Sequence, residues 1–245
     1  MNPRSTTPGF ARLYDLAMRP LEWAAIRRWR KWLVGPPMPA GLVLDLGSGA
    51  GANLPFLHSR TVATDLSLAM LLRSVRRHSE QTMLVVADAA QLPFRDARFD
   101  AVLAALVFCE VERPAEGFAE MIRVARPESR ISLLEHVRPP GPILGRMFDL
   151  FERLAPRGEH FNRRTGEEFE RTAAIDVKRV RKLGGAVELV EGTAPARRSQ
   201  ADRMSPAGHL PFDGNQWPEN NLLHRHPPDL RNSRASFSGS SPRPS

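Results

Sequence analysis

Cysteine is almost missing from this chain: Cys109 stands alone among 245 residues. One thiol excludes an internal disulfide framework and any zinc site built on cysteines. The histidines and acids show no metal-ligand spacing, so no metal is expected. Long apolar runs are missing too, the longest being Ala101 to Phe108, far too short to cross a bilayer. The first residues lack the charged, apolar, small-residue order of a secretory leader, which makes a cytoplasmic protein the default expectation. No internal repeat is visible. Apolar residues make up a modest 42% and prolines number 22, both deviations tracing largely to the C-terminal end. The net charge of +8 allows an anionic partner or surface, and equally a chain whose arginines keep it in solution.

What is present falls into three segments: an N-terminal amphipathic stretch (1–38), a body (39–194) and a tail (195–245). Between Phe10 and Val34, Leu21, Ala25, Trp29, Trp32 and Leu33 repeat near one helical face. Glu22, Arg27, Arg28, Arg30 and Lys31 occupy much of the other. Such a helix either packs on the body with its charges in water or makes a peripheral contact with a membrane surface. The tail is rich in proline, serine and arginine without apolar periodicity and reads as disordered.

The body alternates strand and helix. Leu42–Leu46, Thr61–Thr64, Met83–Ala87, Asp100–Val107 and Ile131–Val137 read as strands. A helix is expected from about Ala52. Another is capped by Ser67, with Leu68, Leu71, Leu72 and Val75 inward. A third starts at Pro114, with Phe118, Met121, Ile122 and Ala125 at helical spacing. Helices are also expected over 143–154, with Leu144, Phe148 and Phe151 inward, and over 165–171. Val177–Leu183 and Ala186–Val190 read as a closing antiparallel hairpin. The fold class is therefore α/β, a doubly wound, mostly parallel, Rossmann-like sheet ending in that hairpin.

In such sheets ligands sit beyond the carboxyl ends of the strands, where strand order reverses. Four features of the sequence land there. Gly47-Ser48-Gly49-Ala50-Gly51 is a turn without Cβ atoms at alternate positions, with the Asp45 carboxylate two residues ahead of it. Asp65, followed by Leu66, ends the second strand in position to accept hydrogen bonds from ribose hydroxyls. Asp88-Ala89 ends the third, where a carboxylate and a backbone amide read an adenine edge. Leu106 to Val111 would floor the pocket. An aspartate after a strand is commonly a turn former, but three in this order divide one ligand between them. An acid beside the first turn repels a pyrophosphate and suits a cationic amino-acid end, which favours S-adenosyl-L-methionine over a dinucleotide. The third glycine also stands one position early for the dinucleotide fingerprint, although Ala52 fits its last place.

Val43 to Gly51, Asp65, Asp88-Ala89 with Leu92-Pro93-Phe94, Phe99-Asp100 and the helix end Met121 to Pro127 resemble the class I S-adenosylmethionine-dependent methyltransferases. Within that class the chain resembles the group of the ubiquinone and menaquinone methyltransferases, Tyr14-Asp15 included. Leu133-Leu134-Glu135-His136-Val137 and Asn162-Arg163-Arg164-Thr165 resemble the methyltransferase-like thiol S-methyltransferases. The likeness covers about residues 10 to 192. It implies S-adenosyl-L-methionine bound by Asp45, Gly47, Ser48, Gly49, Gly51, Asn53, Asp65, Leu66, Asp88, Ala89 and Leu106. It also implies a small methyl acceptor such as a thiol or quinol precursor, and the apolar residues near the site with the tryptophan-bearing N-terminal helix point to a hydrophobic one. Where the family has Arg-Pro-Gly-Gly, this chain has Arg126-Pro127-Glu128-Ser129, a departure expected to cost stability rather than activity.

Methyl transfer from a sulfonium is an in-line displacement, so holding the partners collinear in a dry site matters most. Glu110, Glu135 and His136 are the candidate general bases. Cys109 reads as a packing residue, and His160 and Asn162 as candidates for the acceptor pocket. Two other classes compete: an NAD(P)-dependent oxidoreductase on a related fold, and a non-catalytic binding protein. No nucleic-acid recognition motif supports a nucleic-acid partner.

Overall fold

The computed structural model describes residues 26–35, 41–77, 79–154 and 163–196, all within one compact unit. Tyr14-Asp15, Leu21, Ala25, His160, Asn162 and the tail beyond Ala196 lie outside the described residues. Seven strands form one sheet: β1 (Leu42–Leu46), β2 (Arg60–Asp65), β3 (Thr82–Val86), β4 (Phe99–Ala105), β5 (Ala125–His136), β6 (Ile175–Lys182) and β7 (Val187–Thr193). Their order is β3-β2-β1-β4-β5-β7-β6. The first five are parallel; β7 runs antiparallel to β5, and β6 to β7. The order reverses between β1 and β4, which opens the crevice where such sheets take ligands.

β1 is buried at all five positions, as a central parallel strand must be. At the far edge, β6 presents Lys178, Arg179, Arg181 and Lys182, charges that blunt an open strand against pairing with another chain.

A helix over 26–34, α1, lies on one face of the sheet. Ile26, Leu33 and Val34 are buried in a cluster with Val43, Ala63, Leu103 and Leu134, and Trp29 and Trp32 pack against it. Arg130 of β5 donates to the carbonyls of Trp32 and Val34, tying the helix end to the sheet. Of the two readings of this segment, its described part takes the packing one. No helix among the described residues is long and apolar enough to cross a membrane.

Three local expectations need correction. No α-helix follows the glycine turn, only a 3₁₀ turn over Leu54–Phe56, because Pro55 and the early start of β2 at Arg60 leave no room for one. Helix α2 (Leu68–Ser74) is capped by Ser67 as read, but Leu68 and Leu72 are 56% and 51% exposed; Leu71 and Ser74 face inward. In α4 (Pro142–Leu154), Leu144 is exposed where an inward position was expected, Phe148 is half-buried, and the Phe151 side chain lies outside the described residues.

Helix α3 (Pro114–Val124) and the short α5 (Thr165–Glu170) stand as the spacing implies. Phe118 of α3 stacks on Phe108 with ring centroids 4.2 Å apart and meets Phe169 of α5 edge-on at 5.6 Å. All three rings are fully buried.

Candidate active site

Past the end of β1 the chain turns at Gly47, φ +62°, and again at Gly49 and Gly51, φ +56° and +77°. A Cβ on Gly47 would run into the side chain of Val107, in the loop after β4. The glycine therefore lets the β1 and β4 loops touch across the crevice. At Gly49 the nearest atom to such a Cβ is the terminal methyl of Met70, 3.5 Å away, an ordinary van der Waals contact, so the positive φ rather than lack of space favours glycine there. The turn is held by Ser48, whose N–H donates to the Thr64 carbonyl at 2.7 Å.

Asp65 stands at the carboxyl end of β2. One oxygen accepts from the Gly49 amide at 2.9 Å and the other from the Ser67 amide at 2.8 Å. A carboxylate offers about four lone-pair sites, so roughly two remain for a ligand. On the next strand, Asp88 accepts from the Ala90 amide at 2.8 Å, which shapes the turn carrying Ala89.

These elements enclose a cleft of about 610 Å³. Of the residues read as cofactor-binding or catalytic, Gly47, Ser48, Gly49, Asp65, Leu66, Asp88, Ala89, Leu106 and Glu110 line it. Leu106 takes φ +60°, a left-handed conformation costly for a branched side chain, and its N–H donates to the Leu134 carbonyl at 2.7 Å. Glu110 is exposed on the rim of the cleft.

Five residues of that reading do not line the cleft. Asp45 is fully buried and shares the α1 face of β1 with Val43 by strand alternation. It accepts from Asn53 Nδ2 at 2.7 Å, and Asn53 in turn accepts from Arg30. Burial pushes the Asp45 carboxyl up to about 6, against the opposing effect of the Asn53 hydrogen bond. Gly51 is also buried: a Cβ there would meet Ser74 and Leu54 at 2.8 and 2.9 Å. Asp45, Gly51 and Asn53 thus shape the turn from beneath.

Glu135 is fully buried and accepts from the amides of Val107 and Phe108 at 3.0 and 3.2 Å. Desolvation pushes its carboxyl up to about 7, and those two amides oppose the shift. His136 points to the opposite face of the sheet, the α1 side. Burial pushes its imidazole down to about 4, against a hydrogen bond to the Ala186 backbone. Cys109 is buried, with its thiol 3.6 Å from the Leu106 carbonyl, in the packing role expected of it.

Arg30 lines the cleft although its helical spacing put it on the solvent face. The amphipathic pattern marks which side of a helix is polar, but not that a polar side reaches over the end of a sheet. Arg163 was visible only as part of a resemblance; its guanidinium donates to the carbonyls of Phe108 and Val111.

The arrangement fits S-adenosylmethionine better than a dinucleotide. Asp65, Asp88, Glu110 and Glu112 line the cleft against Arg30 and Arg113, an acidic balance that repels a pyrophosphate and accommodates a cationic sulfonium and amino group.

A parallel sheet with this crevice, a glycine turn and acids at successive strand ends define a Rossmann-like nucleoside-binding class. Residues 44–133 match the family model described as a methyltransferase domain. A demethylmenaquinone methyltransferase from Mycolicibacterium paratuberculosis is 32% identical over 168 residues, 64% of this chain and 70% of that protein. One from Clavibacter sepedonicus is 37% identical over 120 residues, 47% of this chain and 49% of that protein. The chain spans about half the length of several of the curated relatives it matches. A SAM-dependent methyltransferase structure from Thermotoga maritima superposes with a TM-score of 0.56 over 75% of this chain and 99% of that one; at 17% identity it speaks to the fold alone. The chain belongs to the class I S-adenosylmethionine-dependent methyltransferases. S-adenosyl-L-methionine is the methyl donor of that family.

Proposed function

We propose that this protein transfers a methyl group from S-adenosylmethionine to a small, hydrophobic acceptor. The observation that carries the reading is the acidic cleft itself, with Asp65 and Asp88 on adjacent strand ends facing a glycine turn. In this reading Asp65 holds the ribose hydroxyls with its spare lone pairs, Asp88 and the Ala89 amide hold the adenine, and the Gly47–Ala50 turn receives the amino-acid end. When bound, the cofactor supplies a methyl group on a sulfonium, open to in-line displacement. Leu66, Leu106, Val107 and Val111 form apolar wall on the same cleft, which supports a hydrophobic acceptor. Several relatives are named demethylmenaquinone methyltransferases, which is consistent with that class of acceptor.

Glu110 is the candidate base that this geometry supports, since Glu135 and His136 do not line the cleft. Its role would be to take a proton from a thiol or an enolic acceptor. A transfer assay with labelled donor over thiols, quinol precursors and lipid amines tests the reading. Labelled product is expected from at least one hydrophobic member. In Glu110→Gln the turnover falls roughly 10²–10⁴-fold while cofactor binding persists. Wild-type turnover in Glu110→Gln would remove the base assignment, and transfer only to hydrophilic acceptors would overturn the acceptor class.

A further inference from the structure

The loop Leu106–Val111 forms one wall of the cleft, and its backbone is gripped on both polarities. Below it, Glu135 accepts from the amides of Val107 and Phe108. Beside it, Arg163 donates to the carbonyls of Phe108 (2.7 Å) and Val111. Between these grips the Phe108 ring is buried on Phe118, and a Cβ on Gly117 would stand 2.8 Å from that ring. Leu106 is held at positive φ by its bond to Leu134. Both of the Glu135 bonds go to one oxygen; among the described residues its Oε2 is buried without a hydrogen-bond partner. An unsatisfied buried carboxylate oxygen is costly, so a neutral residue would serve better if packing were its only task.

We propose that Glu135 and Arg163 are positioning residues for methyl transfer, an acid and a base that clamp the 106–111 loop so that Leu106, Val107 and Glu110 present the cofactor cleft. The ligand half of the proposal rests on the cleft being the cofactor site. Glu135 is not catalytic, since it does not reach the cleft. Its surroundings give the clamp a dependence on pH. Facing it are the loop amides, Arg163 ahead of α5, and Glu188, its direct partner in the β5–β7 register, itself paired with Arg179 and Arg181 of β6. The ionised form of Glu135 is the better acceptor for amides, and its carboxyl titrates at about 7. The grip therefore tightens as pH rises from 6 to 8. Arg163 also lines a second cavity of about 210 Å³ with Arg138, Arg164 and Arg181, so the clamp stands between two spaces.

Two measurements test this in wild type, Glu135→Gln and Arg163→Lys. Amide hydrogen exchange on the ligand-free full chain, corrected for intrinsic rates, reads the loop directly. Val107 and Phe108 are expected to exchange about tenfold faster in both variants at pH 8; unchanged protection in both overturns the clamp. Calorimetry with S-adenosylhomocysteine reads the cleft. Wild type is expected to bind about fivefold to tenfold more tightly at pH 8 than at pH 6, with Glu135→Gln flat at the weaker level. A variant that keeps the wild-type pH slope overturns the positioning role even if its melting temperature falls. A wild type that binds no S-adenosylhomocysteine at any pH fails the functional reading instead, and the exchange data still decide the clamp.

Discussion

Asp45 and Glu135 are two fully buried acids on opposite faces of the sheet, each turned toward a loop rather than a ligand. Their sequence settings differ, but the physical logic is shared: a carboxylate beneath a turn collects donors that the turn cannot satisfy itself. The consequence for stability has a definite sign. Asp45 titrates near 3.8 when unfolded and at about 6 when folded. The folded state holds the proton more tightly, so the stability this group contributes is fully present below pH 4. It is lost as pH rises through 6. His136 works the other way: its imidazole is lowered from 6.5 to about 4, so its contribution is present above 6.5 and lost toward pH 4. Asp45→Asn keeps the shape without the charge. Urea unfolding of the two proteins should show the variant gaining on wild type between pH 4 and pH 8, by on the order of 3 kcal/mol. A gap that does not change with pH would contradict the assignment.

The turn at Arg126-Pro127-Glu128-Ser129 lies inside a strand longer than the sequence implies. β5 begins at Ala125, six residues before the expected Ile131, because Ala125 pairs with Phe99 across a register shift. Within this extension Glu128 takes φ +62°, where a family glycine would be free of strain. Its amide still donates to the Ala194 carbonyl at 3.0 Å, so the conformation is enforced by β7's end. Glu128→Gly should raise stability by about 1 kcal/mol, read as a higher melting temperature. A lower one would mean that the carboxylate contributes more than the strain costs. Strand positions were legible here because apolar runs between helical segments leave few alternatives. Helix content was less so: Leu68 and Leu72 match an inward stripe in spacing, yet a helix of seven residues buries only Leu71 and Ser74.

Across the whole molecule, the sheet order follows from the alternation of strand and helix, and the ligand end follows from the order. Gly47, Asp65 and Asp88 were readable as residues of the cleft because a strand's carboxyl end is a fixed place in this topology. Asp45, read as a cofactor contact, and Glu135, read as a candidate general base, do not line the cleft, for a physical reason. Adjacent positions on a strand point to opposite faces, and which residue clears the sheet's end depends on where the strand stops. Arg30, which lines the cleft, and Arg163, which grips the loop forming one of its walls, come from segments outside the β1–β5 repeat, so no local pattern could place them there.

The ligand of that cleft decides what this protein does. Calorimetric titration of the full chain with S-adenosylhomocysteine, and separately with NADH, tests it most directly, in wild type and in Asp65→Ala. Stoichiometric binding of S-adenosylhomocysteine is expected, weakened by roughly tenfold or more in Asp65→Ala through loss of charge-assisted hydrogen bonds, with no binding of NADH. Binding of NADH in its place, or an affinity for S-adenosylhomocysteine indifferent to Asp65, would contradict a cofactor site at this cleft.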